Sequence, residues 1–212
     1  MLRLTPVVRN LIMINVLVFV GSFLAGKLTG LVDIGSCFGT FSHPVDIITA
    51  YLSLYNAHTP CFRPYQLFTY MFMHGGISHI FFNMLTLAFM GPILEGYWGT
   101  KRFTIFYLIT GIGAGIFNIF VDQVLHIGSF GTMVGASGAI YGLLTAFGML
   151  FPNMEIQLLI PPIPIKAKYL VFLLGGLNFV MDPSGNTAHF AHLGGVVFGF
   201  FIITAWQRQG GN

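Results

Sequence analysis

Uncharged, mostly apolar stretches follow one another along the chain, separated by short charged segments. A helix needs about 20 mostly apolar residues to cross a bilayer. The pattern predicts an all-α bundle of six transmembrane helices, the first of them an uncleaved span. We place these helices near residues 10–26, 78–95, 102–121, 136–151, 167–181 and 188–206. The fifth is short, and snorkelling of Lys166 and Lys168 would extend it to the interface.

The overall composition agrees with this pattern. Charged residues make up 7% of the 212 residues and hydrophobic residues 55%, and the mean hydropathy is +0.81. A soluble domain needs a larger charged surface, so soluble classes are excluded. Because no internal repeat or second domain is evident, residues 1–212 are expected to form a single membrane domain.

The distribution of Lys and Arg predicts the orientation in the membrane. With the N-terminus in the cytoplasm, seven of the nine basic residues fall on the cytoplasmic side, and Lys27 and Arg63 lie outside. The positive-inside rule therefore predicts cytoplasmic N- and C-termini. The net charge of +3 is then a topology signal. Without a basic cluster, no nucleic-acid partner is expected.

A long external segment, from Lys27 to Arg63, follows the first predicted helix. Its stretch from Val45 to Leu52 has the apolar character of an interfacial segment. Both cysteines, Cys37 and Cys61, lie in this segment. In an oxidising compartment they would pair, and closing such a loop would stabilise the fold by roughly 3 to 4 kcal/mol in the chain-entropy model. Two unpaired thiols are an equally good interpretation.

Two stretches carry candidate chemistry, each at the start of a predicted helix. Ser137 opens the fourth helix and His192 lies in the first turns of the sixth, so both should lie at similar depth near the outer face. A serine hydroxyl needs a base to become a nucleophile, and neutral histidine is the usual one. We predict a Ser137–His192 dyad, with Tyr141 stacked on the imidazole. Asp182 is a weak candidate for a third member.

An acyl transfer also requires donors for the oxyanion. The backbone amide of Ser137 lies at a helix start, where amides are free. His79 and Asn83 are spaced by four residues, so on the second helix they share a face. Each alone is more typical of an interhelical hydrogen bond. Together with the dyad they favour a catalytic site inside the membrane.

Other polar and small residues are better explained by structure. Glu95 is expected to bond backbone amides of a loop or to pair with Arg102. Gly111, Gly113 and Gly115 lack the preceding strand that a dinucleotide fingerprint needs, so close helix packing explains them better. Glycines also recur in the fourth and sixth helices, and these two helices are expected to pack most tightly.

Competing chemistries lack their motifs. There is no His-Glu-x-x-His run for zinc and no Gly-x-Ser-x-Gly elbow, and the acids lie in loops or at helix ends rather than as a pair within the spans. A zinc site of that kind is therefore not expected. A small-solute transporter usually shows charged or broken midplane elements, and none is evident.

These motifs resemble the rhomboid family of intramembrane serine proteases, specifically its six-helix bacterial core form, over residues 65–206. The matching residues are His74, His79, Asn83, Gly135 to Gly138, Tyr141, Ala191 to Gly195, Gly199 and Glu95. His189 could be confused with the base, but the Ala-His-x-Gly-Gly context belongs to His192. The Trp-Arg pair of some members is absent from the first external loop, where Arg63 to Gln66 stand instead.

The resemblance implies a serine endopeptidase that cuts in or near single transmembrane segments and uses no metal or organic cofactor. Ser137 and His192 would form the dyad, and His79, Asn83 and the Ser137 amide the oxyanion hole. His74, Gly135 and Tyr141 would support these residues. The fifth helix and residues 182–187 would act as substrate gate and cap.

The expected location is a bacterial inner membrane, with the site open to the extracytoplasmic side. The expected partners are the lipid bilayer and single-pass membrane proteins. The alternative is a catalytically inactive rhomboid-like protein that binds membrane helices, although a binder needs neither Ser137 nor His192.

Overall fold

In the computed structural model the chain is mostly helical, and the structure describes residues 3–35, 44–125, 132–157, 163–181 and 186–210. The elements in chain order are α1 (Pro6–Thr29), β1 (Val32–Asp33), β2 (Pro44–Val45), α2 (Ile47–Leu52), α3 (Gln66–Thr69), a 3-10 turn (Tyr70–Phe72), α4 (Ile77–Trp98), α5 (Thr100–Leu125), α6 (Ser137–Leu150), β3 (Glu155–Gln157), β4 (Pro164–Lys166), α7 (Ala167–Met181) and α8 (Asn186–Arg208). Two small antiparallel pairs, β1–β2 and β3–β4, lie in the connections.

Four helices of the described chain are long and apolar enough to cross a membrane: Pro6–Thr29, Ile77–Trp98, Thr100–Val124 and His189–Arg208. The helices α6 and α7 are also apolar but shorter, with 14 and 15 residues. At 1.5 Å per residue each is about 21 to 23 Å long, less than a hydrocarbon core of about 30 Å. Each predicted span falls on one of the helices α1 and α4 to α8.

The first helix begins earlier than the hydrophobic pattern predicts. It starts at Pro6 and continues through Lys27 to Thr29, beyond the predicted range of 10–26. A charged side chain does not interrupt backbone hydrogen bonding, and proline is favoured in the first helical turn. The helix ends at Gly30, whose φ of 77° lies in the left-handed region that glycine adopts readily.

The centre of the bundle is α6, in which every residue from Gly138 to Phe147 is buried. It packs mainly against α8, α5 and α7. A Cβ atom at Gly195 of α8 would lie 2.9 Å from the carbonyl carbon of Gly138 in α6, and one at Gly199 would lie 3.0 Å from the carbonyl oxygen of Gly142. The backbones of α6 and α8 are thus in direct contact, which confirms the predicted tight packing of these two helices.

The glycines of α5 also serve packing, as predicted. Gly113 faces the ring of Phe198 in α8, which would lie 2.5 Å from an added Cβ atom. Gly111 faces Met71, and an added Cβ at Gly115 would lie 3.1 Å from Tyr70. Close approach by α8 and by the 3-10 turn therefore requires small residues here.

Glu95 of α4 is a structural residue, but its partners differ from the expected loop amides. Its two carboxylate oxygens accept hydrogen bonds from the backbone N–H groups of Val7 and Val8, both at 3.1 Å. Thr100 Oγ1 donates to the same carboxylate at 3.2 Å. The first turn of a helix has unpaired N–H groups, and the Thr5 side chain does not cap this one. Glu95 therefore caps α1 from a neighbouring helix.

The described part of the segment between α1 and α3 is folded onto the bundle. Asp46 caps α2 by accepting from the Thr49 N–H at 2.9 Å, and Ser22 of α1 hydrogen bonds to the Thr49 hydroxyl at 3.1 Å. The Gln66 side chain donates to the carbonyl of Cys61 at 3.1 Å. Cys61 is disulfide-bonded, so the unpaired-thiol alternative is wrong for this residue. Cys37 lies outside the described residues.

Candidate active site

The backbone before α6 places Ser137 at the first position of that helix. Gly135 has a φ of 124°, which side chains other than glycine rarely tolerate. Its N–H donates to the carbonyl of Tyr70 at 2.9 Å, which ties the turn to the segment before α4. As the first residue of α6, Ser137 has an N–H without a partner inside the helix. The hydroxyl and a free amide of Ser137 thus lie at one helix end.

The histidine that lies within hydrogen-bond distance of this serine is His192 of α8. Its Nε2 atom is 2.9 Å from Ser137 Oγ, although the two residues are 55 positions apart. The backbone contact between Gly195 and Gly138 lies three residues after His192 on α8 and one residue after Ser137 on α6. Close helix packing therefore brings the serine and histidine together, as a base-assisted nucleophile requires.

Tyr141 stacks on the imidazole of His192, as the sequence predicted. The ring centroids are 4.3 Å apart and the planes differ by 15°. Tyr141 lies one turn after Ser137 on α6 and is buried. The stack fixes the plane of the imidazole, a role that a carboxylate has in a triad. Asp182, the weak candidate for such a carboxylate, lies outside the described residues.

His79 of α4 lies against the Gly135 turn. A Cβ atom at Gly135 would be 2.7 Å from His79 Nε2 and 3.6 Å from Ser137 Oγ, so the imidazole and the serine hydroxyl border the same glycine. The Gly75 N–H donates to His79 Nδ1 over a long 3.5 Å. With Nδ1 accepting, the proton of a neutral ring is on Nε2. His79 thus presents an N–H beside Ser137.

Asn83 lies one turn further along α4 and is held by His74. Its Nδ2 atom is 3.0 Å from His74 Nε2, and both side chains are buried. The rings of His74 and His79 meet edge to face, with centroids 5.0 Å apart. Burial lowers the pKa of His74 to about 4, and the charge that His79 can carry lowers it as well. His74 is therefore neutral at pH 7.

The sequence pattern did not single out Tyr70, or the hydrogen bond by which His74 holds Asn83. Tyr70 accepts from Gly135 through its carbonyl, and its hydroxyl donates to the Gly111 carbonyl at 2.6 Å. The His74–Asn83 hydrogen bond joins residues nine positions apart, of which His74 precedes α4. Neither contact has a periodic signal, because each depends on the path of the chain between elements.

A cavity of about 670 Å³ lies behind the serine–histidine pair, between α6, α7 and α8. Its lining is mostly apolar and includes Tyr141, His192, Phe172, Val196 and Lys168. Ser137 is not among the residues that line it. Across the described ranges, no group of three His, Cys, Asp or Glu side chains could hold a metal ion.

Fold and site together define a helical membrane protein with a serine–histidine pair inside its bundle. The family model described as Rhomboid domain matches residues 62–209. The chain belongs to the rhomboid family, in which intramembrane proteolysis is the norm although some members are inactive.

Curated relatives match about two thirds of this chain. RHOMBOID-like protein 1 of Arabidopsis thaliana is 30% identical over 65% of this chain and 33% of its own length. Rhomboid protein 1, mitochondrial, of Saccharomyces cerevisiae is 30% identical over 65% of this chain and 42% of its own. Rhomboid protease GluP of Bacillus subtilis is 29% identical over 66% of this chain and 26% of its own. The matched region is thus less than half of each relative.

Proposed function

We propose that this protein is a serine endopeptidase that cleaves peptide bonds in or near the transmembrane segments of membrane proteins. The observation that carries the proposal is the 2.9 Å contact between Ser137 Oγ and His192 Nε2, inside a bundle of apolar helices. A serine hydroxyl and an imidazole in direct contact are the nucleophile and base of acyl transfer. Membership of a family in which proteolysis is the norm supports the same conclusion.

In the proposed mechanism, His192 Nε2 removes the proton of Ser137 as Oγ attacks the scissile carbonyl. The protonated imidazole then gives this proton to the leaving amine, which leaves an acyl-enzyme. A water molecule, deprotonated in turn by His192, hydrolyses the ester and restores the serine. The stacked Tyr141 keeps the imidazole plane aligned through both steps.

Three groups from two elements are proposed to hold the oxyanion. They are the Ser137 amide at the start of α6, the Nε2–H of His79 and the amide of Asn83. Each oxyanion donor of this kind is worth about 10² to 10³ in kcat. In a water-poor site these preorganised donors contribute more than they would in water.

We further propose that α1 and α4 to α8 all cross the membrane, with both termini in the cytoplasm. The two short helices, α6 and α7, would begin below the outer surface or rely on snorkelling lysines. The excess of basic residues on one side supports this orientation. The serine–histidine pair would then open toward the extracytoplasmic side of a bacterial inner membrane.

Substrates are proposed to be single-pass membrane proteins that reach the site laterally. The helix α7 and residues 182–187 would act as gate and cap. The cavity between α7 and the α6–α8 pair supports a movable α7, because it leaves space on that side of the helix. Residues 182–185 lie outside the described residues.

The test is cleavage of a transmembrane reporter by the purified protein in liposomes. Wild type is compared with Ser137→Ala and His192→Ala, and His189→Ala is the matched control on the same helix. We expect both dyad variants to lose cleavage while the control retains it. Dyad variants that cut as well as wild type would refute the site. If nothing cuts, failure of a fluorophosphonate to label Ser137 would favour the inactive, helix-binding alternative.

A further inference from the structure

We propose that His74 is a positioning residue, whose imidazole holds the Asn83 carboxamide in the orientation that serves the oxyanion. This inference rests on the proposed proteolytic function and adds a role for a side chain that does not contact the serine. It concerns one hydrogen bond, between His74 Nε2 and Asn83 Nδ2 at 3.0 Å.

The hydrogen bond from Asn83 to His74 fixes the orientation of the Asn83 carboxamide because that group is planar. The Asn83 nitrogen carries two N–H groups in a fixed plane. When one of them donates to His74, the direction of the second is set by the plane of the amide. The terminal torsion of asparagine is broad and roughly two-fold, so without this partner the amide is free to present its oxygen instead. An oxygen facing an oxyanion would repel it.

The surroundings of His74 indicate that its imidazole nitrogens serve as hydrogen-bonding groups. The side chain is 8% exposed, and the backbone of Phe72 is a hydrogen-bond partner of its ring. Burying a polar ring costs free energy unless its nitrogens have partners. The partner of Nε2 is the Asn83 amide, so the ring ties the backbone before α4 to a side chain of that helix.

Only a neutral ring with its proton on Nδ1 accepts from Asn83 at Nε2. Burial keeps His74 neutral at pH 7, and His79 approaches it through a ring contact rather than a hydrogen bond. The two neighbouring histidines therefore have different partners. His79 faces Gly135 and the serine, whereas His74 faces Asn83.

The first test compares three variants at position 74 in the liposome assay. In His74→Gln the side-chain oxygen can reach the place of Nε2 and accept from Asn83. In His74→Asn the carboxamide is one methylene shorter and cannot reach it, and His74→Leu has no acceptor. We expect His74→Asn and His74→Leu to lower kcat about tenfold, less than full loss of an oxyanion donor, with KM within about twofold of wild type. His74→Gln should retain most of the wild-type kcat.

The second test asks whether His74 acts through Asn83. In an Asn83→Ala background, His74→Leu should lower kcat no further, because the group that it positions is absent. An equal loss in both backgrounds would overturn the proposal and assign His74 to packing. A His74→Gln protein no more active than His74→Asn would also overturn it. This comparison holds even if His74→Leu does not fold.

A third readout does not require cleavage, so it separates this proposal from the proposed function. In protein labelled with nitrogen-15 at asparagine, the Asn83 carboxamide protons should exchange slowly with water in wild type and His74→Gln. In His74→Asn they should exchange faster, because one bond partner is lost. Equal exchange rates in all three proteins would overturn the positioning role even if the enzyme is active.

Discussion

The contact between α6 and α8 makes Gly195→Ala a direct test of how helix packing sets the active site. Gly195 lies against the backbone of Gly138, one residue after the proposed nucleophile. An added Cβ atom would be 2.9 Å from the Gly138 carbonyl carbon, and ordinary contacts begin at 3.4 Å. The carbonyl oxygen of Gly138 would be closer still, so the helices must separate locally by more than 0.5 Å, the difference between the carbon contact and 3.4 Å. Backbone cannot rotate away as a flexible side chain would.

The separation of α6 and α8 would lengthen the contact between Ser137 and His192. The Ser137 Oγ to His192 Nε2 distance is 2.9 Å, within the roughly 2.6 to 3.2 Å that suits catalytic proton transfer. An added 0.5 Å takes the imidazole out of that range. A misplacement of about 1 Å can cost 10²-fold in rate, so we expect kcat to fall about ten- to a hundredfold. Overpacking should also lower the free energy of unfolding by about 1 to 3 kcal/mol.

The assay is reporter cleavage in liposomes, with thermal unfolding in detergent measured in parallel. Gly96→Ala is the matched control, since an added Cβ on this α4 glycine meets no heavy atom within 4 Å. Gly199→Ala is an intermediate case, with the Gly142 carbonyl oxygen 3.0 Å from the added atom. Activity and stability should fall in the order Gly96, Gly199, Gly195.

A Gly195→Ala protein with the same activity and unfolding temperature as the Gly96→Ala control would contradict this expectation. Such a result would mean that α6 and α8 separate without cost, or that the serine and histidine follow the helix movement. A stable but inactive Gly195→Ala protein would instead support the geometric explanation and assign little stability to this contact.

Three further perturbations have clear expectations. Tyr141→Phe keeps the stacked ring and should retain most of the activity, whereas Tyr141→Leu should lower kcat about tenfold; equal loss in both would show that the hydroxyl matters instead. Glu95→Gln should destabilise the fold by about 1 to 3 kcal/mol, because the new NH₂ group faces a backbone N–H of α1, and an unchanged unfolding temperature would contradict this capping role. His74 has a pKa of about 4 in the folded protein, against 6.5 in the unfolded chain. As pH falls from 6.5 toward 4 the unfolded chain therefore binds the proton first, and the free energy of unfolding decreases by up to roughly 3 kcal/mol. His74→Leu should remove this part of the pH dependence in unfolding measurements made across that range, and an identical slope would exclude His74 as its source.

The local hydrophobic pattern and the residue types determined where the long helices lie and which side chains carry the candidate chemistry. The length of apolar stretches located α1 and α4 to α8, because each needs only its own residues to form backbone hydrogen bonds in lipid. The positions of Ser137 and His192 at helix starts predicted a shared depth. Their chemistry, and that of His79 and Asn83, follows from the functional groups themselves.

Residue type also predicted that glycines would lie where helices meet, since lipid gives helices no hydrophobic drive to associate and close approach must supply the contact. The structure shows this at Gly195 and Gly138. The pattern was less informative at helix ends, because α1 extends past charged residues that mark the edge of an apolar window but do not stop a helix.

Only the tertiary structure decided which groups meet across the bundle. The carboxylate of Glu95 binds two amides of α1 that lie 88 and 87 positions earlier, Tyr70 holds the turn at Gly135, and His74 holds Asn83. Contacts of this kind depend on the relative placement of elements, and they leave no periodic trace in the residues that make them. A polar side chain in a membrane needs a partner, but packing decides which partner it has.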